Sequence, residues 1–484
     1  IIEGDEELEE AALTNNDVAD VTLEDKWLNP SSSGSYNGGF MKIFFLDCGR
    51  KYFSVDNIKK LIDNASAAGF NYIQLAVGND GLRFLLDDMS LTVKGVYYNS
   101  QDVSAAIHAG NEKYYNFTVD ELTQSEMDTI IAYAKEKKMG VIPCVNTPGH
   151  MDAILSAATA LTGTNCSYND SARTIDVTNA TAVDFTQALL QKYIKYFADK
   201  GCQFFNMGAD EYANDKYPNG SMGFGNLTGQ GQYKYYIQYV NQVAAKVREA
   251  GMYPMMFNDG VYFNGDTLSG TFNKSIIVCY WSSGWGGYSS MKPTDLVKNG
   301  YKVVNTHGDY YWVLGKGQCT AEKASQFKIR EFMADTLNED PSGAMFCIWC
   351  DYPGADTAEN VVSSTAATIA AFGKTLPSTP TTGGGESGGG GTTEPEKPDP
   401  ANKTINLKVG DTATETVDGS YADVTTDDSN IAKVDPKVSD KPGTGTYTKV
   451  SKGEGTFFVS KNSAVTAEPP VTLTFEDAGN GMYY

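Results

Sequence analysis

Between residues 40 and 375, apolar runs of four to eight residues alternate with stretches of amphipathic helical period. No other feature of this 484-residue chain limits its fold as strongly. Eight runs are present: Phe40–Asp47, Tyr72–Gly78, Gly140–Asn146, Gln203–Gly208, Pro254–Asn258, Ile276–Trp281, Lys302–Asn305 and Ala344–Trp349. Helical patterns occupy Val55–Ala68, Gln124–Lys138, Ala180–Lys200, Gln232–Ala250 and Ala358–Phe372. Strands that are apolar almost throughout, separated by helices, imply a parallel sheet covered on both faces. The class is therefore α/β. Eight such units predict a (β/α)8 TIM barrel rather than an open doubly wound sheet. No GxGxxG or GxxxxGK[ST] follows the first run, which disfavours a nucleotide-binding fold.

The flanks differ in character. Residues 1–39 form an acidic lead-in segment that becomes Gly/Ser/Asn-rich, and 40–376 is the barrel. Residues 377–402 hold seven Gly and five Pro in 26 positions without an apolar period, so they read as a linker. Short alternating runs over 403–484, such as Thr404–Val409 and Gly455–Val459, predict an all-β immunoglobulin-like sandwich. Asp427–Asp435 resembles bacterial modules of that kind.

Charge excludes whole classes of partner. Lys and Arg total 38 against 60 Asp and Glu, a net −22, so neither nucleic acid nor an anionic membrane surface is an expected partner. No run approaches the roughly 20 apolar residues of a membrane span. No basic stretch precedes an apolar run at the first residues, so any export leader is expected to be already removed. The eight Cys are too sparse for a disulfide scaffold, and three His exclude a His-rich metal site. Cys347 and Cys350 form a CxxC within an apolar run. Residues three apart on a strand face opposite sides, so these thiols read as buried apolar side chains. No cofactor and no metal are expected.

A barrel of this kind carries its site at the C-terminal ends of the strands. The residues just after the runs are polar and aromatic: Asp47 and Arg50, Asn79 and Asp80, Asn146 and His150, Asp210 and Glu211, Asn258 and Asp259. The later runs add Trp281 and Trp285, then Asn305, His307, Asp309, Tyr310, Tyr311 and Trp312, then Trp349 and Asp351. Four of the five Trp fall on this rim, beside acids. One Trp would simply cap a core. Four suggest a carbohydrate pocket, because indole faces stack on sugar rings while carboxylates and Arg hold hydroxyls.

The sharpest element is Phe205-Asn206-Met207-Gly208-Ala209-Asp210-Glu211-Tyr212. Two carboxylates end an apolar run, where burial is expected to raise the pKa of one into the range of an acid catalyst. Most glycosidases place two carboxylates on opposite sides of the scissile bond. Adjacent residues do not readily span that gap. The pair instead fits substrate assistance, in which the sugar's own 2-acetamido oxygen attacks the anomeric carbon.

With these motifs in this order, most of 40–375 resembles glycoside hydrolase family 20. The resemblance implies roles residue by residue. Arg50, in Leu46-Asp47-Cys48-Gly49-Arg50, would bind the 3- and 4-hydroxyls of the terminal sugar. Asp80, in Gly78-Asn79-Asp80-Gly81, would pair with His150 of Asn146-Thr147-Pro148-Gly149-His150, which supports the acid/base. Asp210 would polarise the acetamido group and Glu211 would be the acid/base. Trp281 and Trp349 would be aromatic walls, and Asp351 would hold the 4- and 6-hydroxyls. Tyr311 would bond the acetamido oxygen, with Tyr310 as the alternative register. Tyr212 and the short Asp351 depart from many members. With Tyr212–Tyr217 and Phe257–Gly260 they resemble surface hexosaminidases of Gram-positive bacteria and lacto-N-biosidases of bifidobacteria.

The implied activity is a retaining exo-β-N-acetylhexosaminidase acting on terminal β-linked N-acetylglucosamine, with N-acetylgalactosamine left open. The partner is then a glycan, and the place is outside the cell or on a bacterial surface. The alternatives are a lacto-N-biosidase releasing Gal-β-1,3-GlcNAc (lacto-N-biose) and a silent glycan-binding barrel. A family 18 chitinase lacks support, since its DxxDxDxE motif is absent.

Overall fold

The computed structural model describes residues 19–31, 34–115, 120–217, 222–284 and 288–377, together with strands between 403 and 473. The chain divides into two compact units, Ile1–Thr382 and Gly383–Tyr484.

Eight parallel strands close the barrel of the first unit: β1 (Met41–Asp47), β2 (Tyr72–Asn79), β3 (Gly140–Val145), β4 (Phe204–Asn206), β5 (Tyr253–Phe257), β6 (Ile277–Tyr280), β7 (Lys302–Asn305) and β8 (Gly343–Trp349). Each pairs with its neighbours in sequence, and β1 pairs with both β2 and β8, which removes any open edge. Side-chain alternation along each strand makes two cores. Ile43, Phe45, Cys144, Met255, Cys279 and Cys347 fill the barrel interior. Phe44, Leu46, Ile73, Leu75, Val278 and Phe346 face the helices. All eight Cys are free and buried, with Cys347 in the inner core and Cys350 in the outer, as their spacing predicts.

The flanking helices form for local reasons. Ser54 caps α1 (Val55–Ala67) by accepting from the Asn57 N–H. Ile58, Leu61, Ile62 and Ala65 then make its buried stripe, each larger side chain contributing about 1.5–3 kcal/mol. A Thr123–Glu126 capping box opens the helix Gln124–Glu136.

Two features depart from a regular eightfold repeat. The run expected to reach Gly208 ends as a strand at Asn206, because Gly208 and Ala209 turn into positive φ. After β5 no α-helix follows. A single 3-10 turn, Phe263–Gly265, stands there, with Tyr262, Phe263 and Phe272 buried around it. Part of the lead-in packs beside this stretch. Thr271 N–H donates to Leu28 O at 2.7 Å, and the Asn241 side chain donates to Trp27 O. Gln238, on the same helix as Asn241 (Tyr233–Glu249), accepts from Glu24 N–H and donates to Thr22 O.

In the second unit, Lys403–Leu407, Gly455–Lys461 and Tyr421–Thr426 pair antiparallel in that order, and two further ribbons lie among 415–473. The immunoglobulin-like packing expected there falls outside the described residues. No described helix is long and apolar enough to cross a membrane.

Candidate active site

The C-terminal mouth of the barrel holds a cavity of about 220 Å3. Eight of the nine residues singled out by sequence line it: Arg50, His150, Asp210, Glu211, Trp281, Tyr311, Trp349 and Asp351. Asp80, the ninth, lies buried behind Arg50 and His150.

A chain of charges runs from strand to strand. Arg50 Nε donates to Asp80 Oδ2 at 2.7 Å. Asp80 Oδ1 lies 2.8 Å from His150 Nδ1, and His150 Nε2 lies 3.1 Å from Glu211 Oε2. Arg50 Nη1 also reaches Asp47 and Asp351, at 3.3 and 3.2 Å. Asp210 Oδ1 accepts from the Asn146 amide at 2.7 Å, and the Asn146 carbonyl accepts the Ala209 N–H.

The turn carrying the Asp-Glu pair is strained and held from all sides. Ala209, Glu211 and Ala213 all have positive φ, a conformation costing about 1–3 kcal/mol per residue. Tyr236 donates to Ala209 O at 2.6 Å, Thr174 Oγ1 accepts the Ala213 N–H, and Asp259 Oδ2 accepts the Glu211 N–H. Gly149 passes directly beneath, where a Cβ would stand 2.8 Å from Asp210 O.

The carboxyl of the pair with a raised pKa is Asp210, lifted by desolvation and by the charge of Glu211. Glu211 is instead held below its usual range: burial would raise it, but the hydrogen bond and charge of His150, with Arg50, outweigh that. Burial alone would lower His150. Asp80, bonds to Asp80 and Glu211, and the charge of Asp210 bring it up to about 10. A raised pKa means that the imidazolium contributes stability fully below about pH 6.5 and loses it as pH rises toward about 10. Thermal unfolding should show a melting temperature that falls across that window, with a shallower fall in His150→Gln. Equal slopes in the two proteins would refute this.

Among the described residues, His150, Asp210 and Glu211 form the one group with ligand-type atoms close enough for a metal, within 4.8 Å of each other. The donor set does not suit a cation, because the imidazole is held protonated and Arg50 stands beside it.

The aromatic walls are Trp281, Tyr311 and Trp349. The Trp281 and Tyr311 rings lie nearly parallel at 6.4 Å, and Trp349 rests on Phe45 and Phe257 of the inner core. Tyr311, not Tyr310, faces the cavity. Its hydroxyl is buried, with Thr306 and Cys347 as polar neighbours, while Tyr310 packs on Phe327. Trp312 leaves the rim for the outer core, and Trp285 lies outside the described residues. Sequence reasoning missed Asn214, which donates to Glu211 Oε2 at 2.8 Å, and the lining residues Phe257, Val313 and Lys316. Tyr212–Tyr217 was noted for its resemblance only, and nothing in its spacing singled out Asn214.

A closed parallel barrel with an acidic pair among aromatic walls at its C-terminal mouth defines a barrel glycoside hydrolase. The chain belongs to glycosyl hydrolase family 20, whose catalytic domain matches residues 42–362. A solved catalytic module of the pneumococcal exo-β-D-N-acetylglucosaminidase is similar at 38% identity and a TM-score of 0.65, over 69% of this chain and 83% of that one. The lacto-N-biosidase of Bifidobacterium bifidum is 26% identical over 205 residues, 39% of this chain and 17% of the relative. A β-hexosaminidase of Vibrio furnissii is 30% identical over 115 residues, 23% and 18% of the two chains. The chain thus spans under a fifth of these two curated relatives.

Proposed function

We propose that the chain is a retaining, substrate-assisted exo-β-N-acetylhexosaminidase that removes terminal β-linked N-acetylglucosamine. One observation carries this reading: a single Asp-Glu pair faces a cavity sized for one sugar. About 220 Å3 lies below the roughly 300–1,000 Å3 of sites for drug-sized ligands. One oxygen of Asp210 and one of Glu211 lie within 4.8 Å of each other, and both side chains leave the same turn after β4. That supports a reading in which both serve one side of the sugar and the nucleophile comes from the substrate.

The chemistry follows from position. The acetamido oxygen attacks the anomeric carbon as the glycosidic C–O bond breaks, and Glu211 gives its proton to the leaving oxygen. Glu211 Oε2 is taken by His150 and Asn214, which leaves Oε1 for this transfer. The proton given must therefore be carried on Oε1: a seated sugar excludes water and favours the neutral acid, while His150, 3.1 Å from Oε2, keeps that oxygen as the acceptor. Asp210 accepts the acetamido N–H and balances the positive oxazolinium. The Tyr311 hydroxyl donates to the acetamido oxygen. Water then attacks the same carbon, Glu211 takes its proton, and the configuration is retained.

The likeness to the bifidobacterial enzyme supports a second reading, release of Gal-β-1,3-GlcNAc. The cavity volume and the Arg50–Asp351 ion pair across its wall favour the single sugar. Aryl β-glycosides of N-acetylglucosamine, N-acetylgalactosamine and lacto-N-biose decide between them. The expected result is turnover of the first and none of the third, and the reverse would sink the proposal. Run on intact cells and culture fluid, the same assay tests an extracellular or surface location, which the barrel–linker–β layout supports.

A further inference from the structure

Asp259 follows β5 in Phe257-Asn258-Asp259-Gly260. It is completely buried and does not line the cavity. Its two oxygens serve two different parts of the site. Oδ2 accepts the backbone N–H of Glu211 at 2.6 Å, and Oδ1 accepts the indole N–H of Trp281 at 3.0 Å. Asn258 holds the same tryptophan by its backbone, accepting the Trp281 N–H at 2.8 Å and donating to Ser282 O at 2.7 Å. The segment after β5 therefore joins the carboxylate turn after β4 to the aromatic wall after β6.

We propose that Asp259 is a positioning residue, a carboxylate bracket that sets the distance between the Glu211 acid and the Trp281 ring across the sugar site. The catalytic half of this proposal rests on the hexosaminidase reading, whereas the geometric half does not. Each oxygen is an acceptor toward one N–H. Burial and the charge of Asp210 hold the Asp259 pKa well above the usual carboxylate range, the two donors offsetting only part of that rise. A structural role alone would ask only that the side chain fill its space, and Asn would then serve as well. A bracket fails with Asn, because the amide nitrogen must face either Glu211 N–H or Trp281 Nε1–H.

The test uses the full chain with 15N-labelled tryptophan, which has five indole signals to follow. Trp281→Phe assigns its resonance by loss, and Asp259→Asn should move that resonance upfield as the carboxylate bond is lost. An unmoved resonance overturns the bracket whatever the activity. On aryl N-acetylglucosaminide, Asp259→Asn should lower kcat/KM by about 10²-fold, the scale of a small misplacement of reacting groups. The same change made in Trp281→Phe should cost clearly less, since the indole donor is already gone. Fully additive losses, or Asp259→Asn within twofold of wild type, overturn the proposal. Should Asp259→Asn fail to fold, Trp281→Phe alone decides: a several-fold higher KM at unchanged melting temperature supports it, and an unchanged KM refutes it. A wild-type protein inactive on every aryl glycoside would sink the hexosaminidase reading and leave the resonance as the readout.

Discussion

Glu211→Gln should lower kcat on natural glycosides by about 10²–10⁴-fold, the usual contribution of a general acid, and should spare activated aryl glycosides. The structure makes this substitution a clean one. Glu211 Oε2 already accepts from His150 and Asn214, so the Gln carbonyl takes that place with the same partners. The amide nitrogen then occupies the position of Oε1, from which no proton can be given. An aryl leaving group that departs as a stable anion needs little protonation, so the loss should grow with the basicity of the leaving group. A series of aryl N-acetylglucosaminides measures that slope. A flat series with kcat near wild type would remove Glu211 from the acid role.

Asp210→Asn should be nearly as damaging but with a different signature. Its Oδ1 is anchored by the Asn146 amide at 2.7 Å, so the Asn carbonyl will settle there. The new NH2 then points where the acetamido N–H would sit, donor against donor, and the charge that balances the oxazolinium is gone. Losing one such electrostatic partner costs about 10²–10³ in kcat. Because Asp210 balances the oxazolinium, and that ring is the same whichever aryl group leaves, the loss should be much the same across the aryl series. A leaving-group-dependent loss, or none, would refute the assigned role.

The strands were readable because both faces of each are buried, which turns every strand into a continuous apolar run. The reading failed where side chains bond to backbone. Gly208 N–H donates to Asn206 Oδ1 and not to a neighbouring strand, so β4 stops before its apolar run does. The site was readable from residue types at strand ends, but the face each side chain takes depends on register. Trp312 pairs with Ile348 and Val313 with Trp349. Ile348 faces the helices, so Trp312 does as well, while Val313 joins Trp349 at the cavity. Rim position alone could not distinguish Trp312 from Trp281. Nor could residue type foresee that Asp210, and not Glu211, would be the carboxyl with the raised pKa. That depends on His150 donating to one carboxylate and standing farther from the other, 3.1 Å against 4.0 Å.

The lead-in packed beside the helix-free stretch after β5 changes where the folding unit begins and ends. Family likeness covers 42–362, but the last helix runs Ala358–Gly373 and buries Ile369 and Phe372. At the other end, Thr22, Trp27 and Leu28 satisfy polar groups of Gln238, Asn241 and Thr271. A gene fragment trimmed to the borders of the family match would keep every residue of the mouth and still lose most of a helix and a strap. For this protein the borders of homology are narrower than the borders of folding, and recombinant work should take its ends from the second.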